Sequence, residues 1–214
     1  MIKKTHSFHY KNLRIQLHKE VYEPAEDTFL LLSAIDVSAV DTVFEIGTGS
    51  GIIALYCAQK GANVICSDIN PYAIELVKKN YEQNRSIVKG LLEIRKGSLF
   101  DVLTRHEQFS LIIFNPPYLP TSKEEYTGGS GWFDKAVSGG KNGLSTTNQF
   151  LLGLSNHLKE NGRAFTIFST RSPRKEFNKN IKKNGFESTI VSTQSFTDES
   201  IEVHRITKAR NVNE

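Results

Sequence analysis

Asn115-Pro116-Pro117-Tyr118 directly follows an apolar run, Leu111-Ile112-Ile113-Phe114. Two consecutive prolines fix φ and remove two backbone donors, so they end a strand and leave carbonyl oxygens free to accept. The Asn115 side-chain oxygen and the Pro116 carbonyl are then two acceptors for the two hydrogens of a planar NH2 group. Pro117 holds the turn rigid, and Tyr118 offers a flat face for stacking. The lone pair of an amide or exocyclic amino nitrogen is delocalised. Two acceptors on its hydrogens localise that pair and aim it, so the chemistry is group transfer to nitrogen by positioning and electrostatics. A glutamine amide and an adenine amino group fit this motif equally well.

A second constellation names the donor. Glu45-Ile46-Gly47-Thr48-Gly49-Ser50-Gly51 follows an apolar strand and opens a helix. Backbone at Gly47, Thr48, Gly49 and Gly51 can pass close to a ligand. A dinucleotide loop reads GxGxxG and sets a pyrophosphate on the helix N-terminus. Here the loop begins with Glu45, which repels a pyrophosphate and suits a cation. Asp68 ends the next strand, where a carboxylate accepts both ribose hydroxyls of a nucleoside, and Ile69 can lie against the adenine. Asp68 is not needed as a helix cap, because Asn70 and Pro71 supply that start. A cationic nucleoside without phosphates is S-adenosylmethionine, so methyl transfer to nitrogen is the expected reaction.

These residues need a scaffold that brings strand ends together. Strands are expected at 42–46, 63–67, 91–95, 111–114, 164–168, 188–192 and 201–206, with helices at 52–60, from Asn70, at 146–158 and at 174–183. In the helix after Asn70, Ala73, Ile74, Val77 and Tyr81 share one face. Short apolar strands alternating with helices give an α/β fold, a doubly wound, mostly parallel seven-stranded sheet. The segment TQSFTDES joins the last two strands as a hairpin, so one strand runs antiparallel. Asn161-Gly162 reads as a turn before the fifth strand. A helix at 24–35 precedes the sheet and can cover the site. Residues 119–142 are polar and Gly-rich without clear periodicity, and loops of that length are usually functional. Within it, 127–132 can form a substrate channel, and Trp132 reads either as a surface for a substrate backbone or as a core anchor.

The chain has 214 residues, enough for a single domain over 1–214 with an N-terminal extension and covering helix in 1–40. No run of about 18 apolar residues reads as a membrane span, and the basic N-terminus lacks a secretory h-region. Cys57 and Cys66 lie in apolar segments without metal-ligand spacing. They are expected to be buried free thiols of a cytoplasmic protein, with no metal site. The net charge is +4, with basic residues gathered at Lys3, Lys4, Lys11, Arg14 and Lys19 and again at Arg171, Arg174, Lys175, Lys179, Lys182 and Lys183. Such clusters suit nucleic acid, a nucleic-acid-bound partner, or simply solvent, and leave direct nucleic-acid binding open.

Glu45 to Gly51, Asp68 and Asn115 to Tyr118 together resemble the motifs of class I methyltransferases that modify amide or amino nitrogens, with their Rossmann-like fold. Val21-Tyr22-Glu23-Pro24-Ala25-Glu26-Asp27-Thr28-Phe29-Leu30-Leu31 and Gly139-Gly140-Lys141-Asn142-Gly143 are similar to the release-factor glutamine methyltransferases of the eukaryotic and archaeal type, relatives of HemK/PrmC. The resemblance implies methylation of the glutamine in the Gly-Gly-Gln tripeptide of a class 1 peptide release factor. Carried over by position, it implies cofactor contacts at Thr28, Glu45, Gly47 and Asp68, and substrate contact at Asn115. Where many relatives hold the adenine amino group with an Asp, this chain reads Gly97-Ser98-Leu99, so Ser98 stands in for the carboxylate, with Asp101 as a substitute close by. The resemblance also implies a small zinc-binding activator subunit that adds to a sheet edge, for which Leu91-Leu92-Glu93-Ile94 is a candidate. Two other substrates remain. An adenine amino group on DNA or RNA would need surface for a flipped base. A protein lysine would need a base, for which Glu124, Glu125 and Asp134 are candidates.

Overall fold

The apolar runs pair into a single central sheet, and their register decides which loops meet. A computed structural model describes residues 7–120 and 131–210. The elements run β1 (Ser7–Tyr10), β2 (Leu13–Gln16), α1 (Glu26–Ala34), β3 (Thr42–Ile46), α2 (Ile52–Gln59), β4 (Asn63–Asp68), α3 (Pro71–Asn84), β5 (Leu92–Lys96) and β6 (Phe109–Phe114). They continue through α4 (Trp132–Val137), α5 (Ser145–His157), β7 (Leu158–Ser169), α6 (Arg174–Lys183), β8 (Phe186–Ser195) and β9 (Ser200–Lys208). The seven-stranded sheet has the order β5-β4-β3-β6-β7-β9-β8, and β9 is the expected antiparallel strand.

Period-two alternation divides the core between the two faces of this sheet. Val43, Val64, Cys66, Leu111, Ile113, Phe165, Ile167 and Val203 pack with Leu31 and Leu32 of α1 and Ile53, Ala54 and Cys57 of α2. Phe44, Ile46, Ile112, Phe114, Ala164 and Phe168 pack with Phe150 and Leu154 of α5 and Phe177 and Ile181 of α6. Both cysteines are buried free thiols, and burial raises both thiol pKa values. Among the described residues no helix is long and apolar enough to cross a membrane.

Asn70 caps α3, its side chain accepting from the Tyr72 backbone N–H with Pro71 in the first turn. Of the predicted α3 face, Ala73, Ile74 and Val77 are buried, and Tyr81 packs partly exposed at the margin of the core. The Asn161-Gly162 turn is not formed as predicted. Both residues fall inside β7, where the pairing jumps from Phe109↔Leu158 to Leu111↔Arg163. The extra residues are absorbed as an irregularity of one long strand, because pairing to β6 resumes immediately beyond it.

The N-terminal hairpin of β1 and β2 was not expected from the sequence. Leu13 and Ile15 are fully buried. Two asparagines of α3 act as a substitute strand edge for it. Asn80 Oδ1 accepts from the Gln16 N–H (2.8 Å), and Asn84 Oδ1 accepts from the Arg14 N–H (2.9 Å). Asn80 Nδ2 also donates to the Ser50 carbonyl at 2.8 Å, which ties the hairpin to the glycine loop. Of the predicted long loop, 132–137 is instead the short helix α4. Glu124, Glu125 and most of the 127–132 segment lie outside the described residues.

Candidate active site

Parallel register sets the site. Ile46 pairs with Ser67 on one side and with Phe114 on the other. The residues that follow these three strand positions therefore emerge side by side at one end of the sheet, where ligands bind in such folds. They are Gly47, Asp68 and Asn115. A cavity of about 1270 Å³ opens there, and it is lined by Thr28, Glu45, Gly47, Thr48, Gly49, Asp68, Ile69, Ser98, Leu99 and Asn115 to Tyr118. Most of the predicted site residues thus meet in one place.

Two do not. Gly51 is outside the lining, at the N-cap of α2 with φ 81°, and a Cβ there would come within 2.9 Å of the Val77 side chain. Its part is to let α2 and α3 pack closely. Asp101, the suggested substitute for Ser98, is exposed and also outside the lining. Ile69 is 44% exposed beside Asp68, an apolar wall open to a ligand.

Glu45 is 3% exposed on the apolar face shared with Val43. Burial lifts its pKa to about 8, against the pull of hydrogen bonds from the Thr48 hydroxyl (2.6 Å) and the Ala54 backbone. A carboxyl buried at this cost to ionise would be held ionised by a cation placed beside it. Asp68 is held by donors on both oxygens, the Gly49 N–H to Oδ2 at 2.9 Å and the Asn70 N–H to Oδ1 at 2.8 Å. Burial raises its pKa too. Two desolvated acids bracketing a glycine loop match a positively charged nucleoside and oppose a pyrophosphate.

The Asn115–Tyr118 turn is braced from behind. Gly139 has no room for a side chain, since a Cβ would lie 2.8 Å from the Pro117 carbonyl oxygen. The Leu119 N–H donates to the Val137 carbonyl (3.1 Å), and the Gly139 N–H donates to the Leu119 carbonyl (2.9 Å). Asn142 Nδ2 donates to the Glu176 carboxylate at 3.1 Å, and Asn142 Oδ1 accepts from the Leu144 N–H at 3.1 Å. The Gly139–Gly143 stretch is therefore a clamp on the turn. Trp132 lines the cavity, and the Lys135 ammonium lies 4.5 Å from its ring centroid. Asp134 also lines the cavity.

Two further residues carry polar contacts that the sequence pattern did not single out. Asp27, in the first turn of α1, accepts from Asn115 Nδ2 (3.0 Å) and from the Tyr118 hydroxyl (3.3 Å). The Tyr22 hydroxyl donates to the same carboxylate at 3.2 Å. Burial and then the Asp27 charge push both tyrosine pKa values above the usual value, so both hydroxyls stay protonated as donors. An acidic residue before an apolar helix normally reads as an N-terminal helix charge, so local sequence gave no signal for this contact.

A family model described as methyltransferase small domain matches residues 22–196. A putative protein N5-glutamine methyltransferase of Methanocaldococcus jannaschii is 40% identical over 179 residues, 83% of this chain and 86% of that protein. The eRF1 methyltransferase catalytic subunit mtq2 of Schizosaccharomyces pombe is 30% identical over 192 residues, 81% of this chain and 83% of that protein. The solved Mtq2–Trm112 complex of E. cuniculi, described as responsible for methylating the eRF1 translation termination factor, superposes with a TM-score of 0.66 at 19% identity. The match covers 89% of this chain and 99% of that chain.

Proposed function

We propose that this chain, which belongs to the methyltransferase small-domain family and to its protein N5-glutamine methyltransferases of the eukaryotic and archaeal type, methylates the side-chain amide of the Gly-Gly-Gln glutamine in a class 1 peptide release factor. One observation carries the chemistry. Asn115 Nδ2 is committed to Asp27, while Asn115 Oδ1 is buried and makes no hydrogen bond among the described residues. A buried acceptor without a donor costs about 1–3 kcal/mol, and a substrate N–H would satisfy it.

S-adenosylmethionine supplies an electrophilic methyl group on its sulfonium when bound. The two buried acids and the open glycine loop fit it. In this reading Glu45 would face its positive charge, Asp68 would accept from the ribose hydroxyls, and Thr28, Gly47, Thr48 and Gly49 would line its passage. Ile69 and Leu99 would hold the adenine, with Ser98 as the partner for its amino group. Asn115 Oδ1 and the Pro116 carbonyl take the two hydrogens of the glutamine NH2, and Tyr118 stacks on the amide plane. Pro117 keeps the turn rigid. Holding the nitrogen and the methyl group in line contributes through positioning rather than through a strong base. A lysine substrate would first have to lose a proton, and relatives similar to this chain over four-fifths of its length are named for glutamine or eRF1 methylation, so glutamine is the preferred carrier.

A small zinc-binding activator is proposed at the edge strand β5, supported by its terminal place in the sheet and by Leu91, which is 71% exposed. A release factor acts at the ribosome, so the cytoplasm is the proposed compartment. The test is incubation of the protein, alone and co-expressed with an activator, with labelled cofactor and a release factor, followed by mass spectrometry. Label on the Gly-Gly-Gln glutamine is expected. Label only on lysine or on nucleic-acid adenine would overturn the reading.

A further inference from the structure

Five donors converge on one buried carboxylate next to the NPPY turn. Asp27 is 5% exposed. Its Oδ1 accepts from the Thr28 backbone N–H (2.6 Å), the Thr28 hydroxyl (3.2 Å) and the Tyr22 hydroxyl (3.2 Å). Its Oδ2 accepts from Asn115 Nδ2 (3.0 Å) and the Tyr118 hydroxyl (3.3 Å). A carboxylate has only lone pairs to offer, so each neighbour must turn a hydrogen towards it. The Asn115 amide has two different ends, and only its NH2 end can meet Asp27. Turning the amide over would set two acceptors about 3 Å apart, at the separation of that bond.

We propose that Asp27 is a positioning residue that locks the Asn115 side-chain amide with its oxygen reserved for the hydrogens of the substrate nitrogen. The proposal rests on the methyl-transfer reading above and adds a source of substrate selectivity. With the amide locked, the site accepts a group that presents N–H and opposes one that presents only oxygen. A glutamine side chain is taken and a glutamate in its place is refused, because two acceptors would face each other without a hydrogen between them.

Asp27→Asn tests this through a defined geometry. The Thr28 backbone N–H cannot move away from the Oδ1 position, so the new amide must keep its oxygen there. Its NH2 then occupies the Oδ2 position and faces Asn115, which must turn its oxygen inwards and its NH2 towards the substrate. Asn115→Asp is the complementary change and sets two carboxylates in contact with no hydrogen between them, so they repel and the side chain at 115 is no longer held. The double variant restores a matched pair. The amide introduced at position 27 donates to the carboxylate introduced at position 115. The other oxygen of that carboxylate remains an acceptor, and the Tyr118 hydroxyl can accept where it formerly donated.

The experiment compares the unaltered protein, both single variants and the double variant, each with its activator, on a release factor carrying Gly-Gly-Gln. Cofactor binding is measured separately by calorimetry. Each single variant is expected to lose roughly a hundredfold in kcat, the scale of one lost transition-state hydrogen bond, with cofactor Kd changed less than about threefold on the same ground. The double variant should recover at least about tenfold over the slower single variant. Unaltered kcat in Asp27→Asn, or a double variant no faster than the slower single one, overturns the proposal. Absence of glutamine methylation by the unaltered protein would instead overturn the functional reading.

Should Asp27→Asn fail to fold, NMR of the unaltered protein decides. The Asn115 side-chain NH2 signals, assigned by their loss in Asn115→Asp, should be widely split, with one proton slow to exchange. An averaged, unprotected pair overturns the proposal.

Discussion

Glu45→Gln replaces an ionisable group on the floor of the cavity with a neutral one of the same shape. The amide oxygen of the substituted side chain can still accept from the Thr48 hydroxyl and the Ala54 N–H, so the change isolates ionisation. In the folded chain burial raises the Glu45 pKa from 4.5 to about 8. A carboxyl whose folded pKa lies above its unfolded value stabilises the fold most at low pH. That contribution is lost as pH rises from about 4.5 to about 8 and is constant beyond. Each unit corresponds to about 1.4 kcal/mol, so the full loss approaches about 5 kcal/mol, of which about 3 kcal/mol has accrued by pH 7. Urea unfolding of both proteins across this range reads the difference directly, because every other titrating group is common to both and cancels. Between pH 5 and pH 7 the unaltered protein should lose about 2–3 kcal/mol relative to Glu45→Gln. Parallel stability curves would refute the reasoning. Binding a cation beside Glu45 restores the ionised form, so cofactor binding at pH 7 should release roughly one proton. Calorimetry in buffers of different ionisation enthalpy should show this release in the unaltered protein and lose it in Glu45→Gln.

Asn115→Ala should lower kcat by about 10²–10³ on the scale of a removed transition-state hydrogen bond, with the cofactor Kd nearly unchanged by titration. Asp68→Ala removes the anchor of the Gly49 and Asn70 N–H groups and the acceptor proposed for the ribose, so cofactor binding should weaken by about 2–3 kcal/mol in calorimetry. Gly51→Ala meets both a left-handed φ and the Val77 side chain. It should cost about 1–2 kcal/mol in unfolding free energy, while cofactor binding measured below the melting temperature should persist. Gly139→Ala pushes on the Pro117 carbonyl and should depress kcat more than cofactor affinity in steady-state assays.

The strands that carry chemistry are legible in the chain because their signals are local. An apolar run ending in glycine at Ile46, in Asp-Ile-Asn-Pro at Asp68, or in Asn-Pro-Pro at Phe114 states both the strand and its end. The α3 cap at Asn70-Pro71 is equally explicit, for the hydrogen bond lies within two residues. The hairpin of β1 and β2 was not legible, because four-residue strands give too few alternations to register as a period. Its partners, Asn80 and Asn84, lie more than sixty positions away. The short helix α4 was hidden among glycines and polar residues.

The sequence by itself determined which chemical groups are on offer: an amide in an Asn-Pro-Pro-Tyr turn, an acidic glycine loop, and a carboxylate at the next strand end. Residue types and local backbone constraints suffice for that. Tertiary structure alone decided which of these act together. The level register of Ile46, Ser67 and Phe114 puts the three motifs around one cavity, and Gly51 is drawn instead into helix packing. The burial that raises the Glu45 pKa is a property of the closed core, not of the residue. The pairing of Asn115 with Asp27 joins residues 88 positions apart. No local pattern encodes which end of an amide faces a substrate, since the buried carboxylate that settles it arrives only when α1 folds over the sheet.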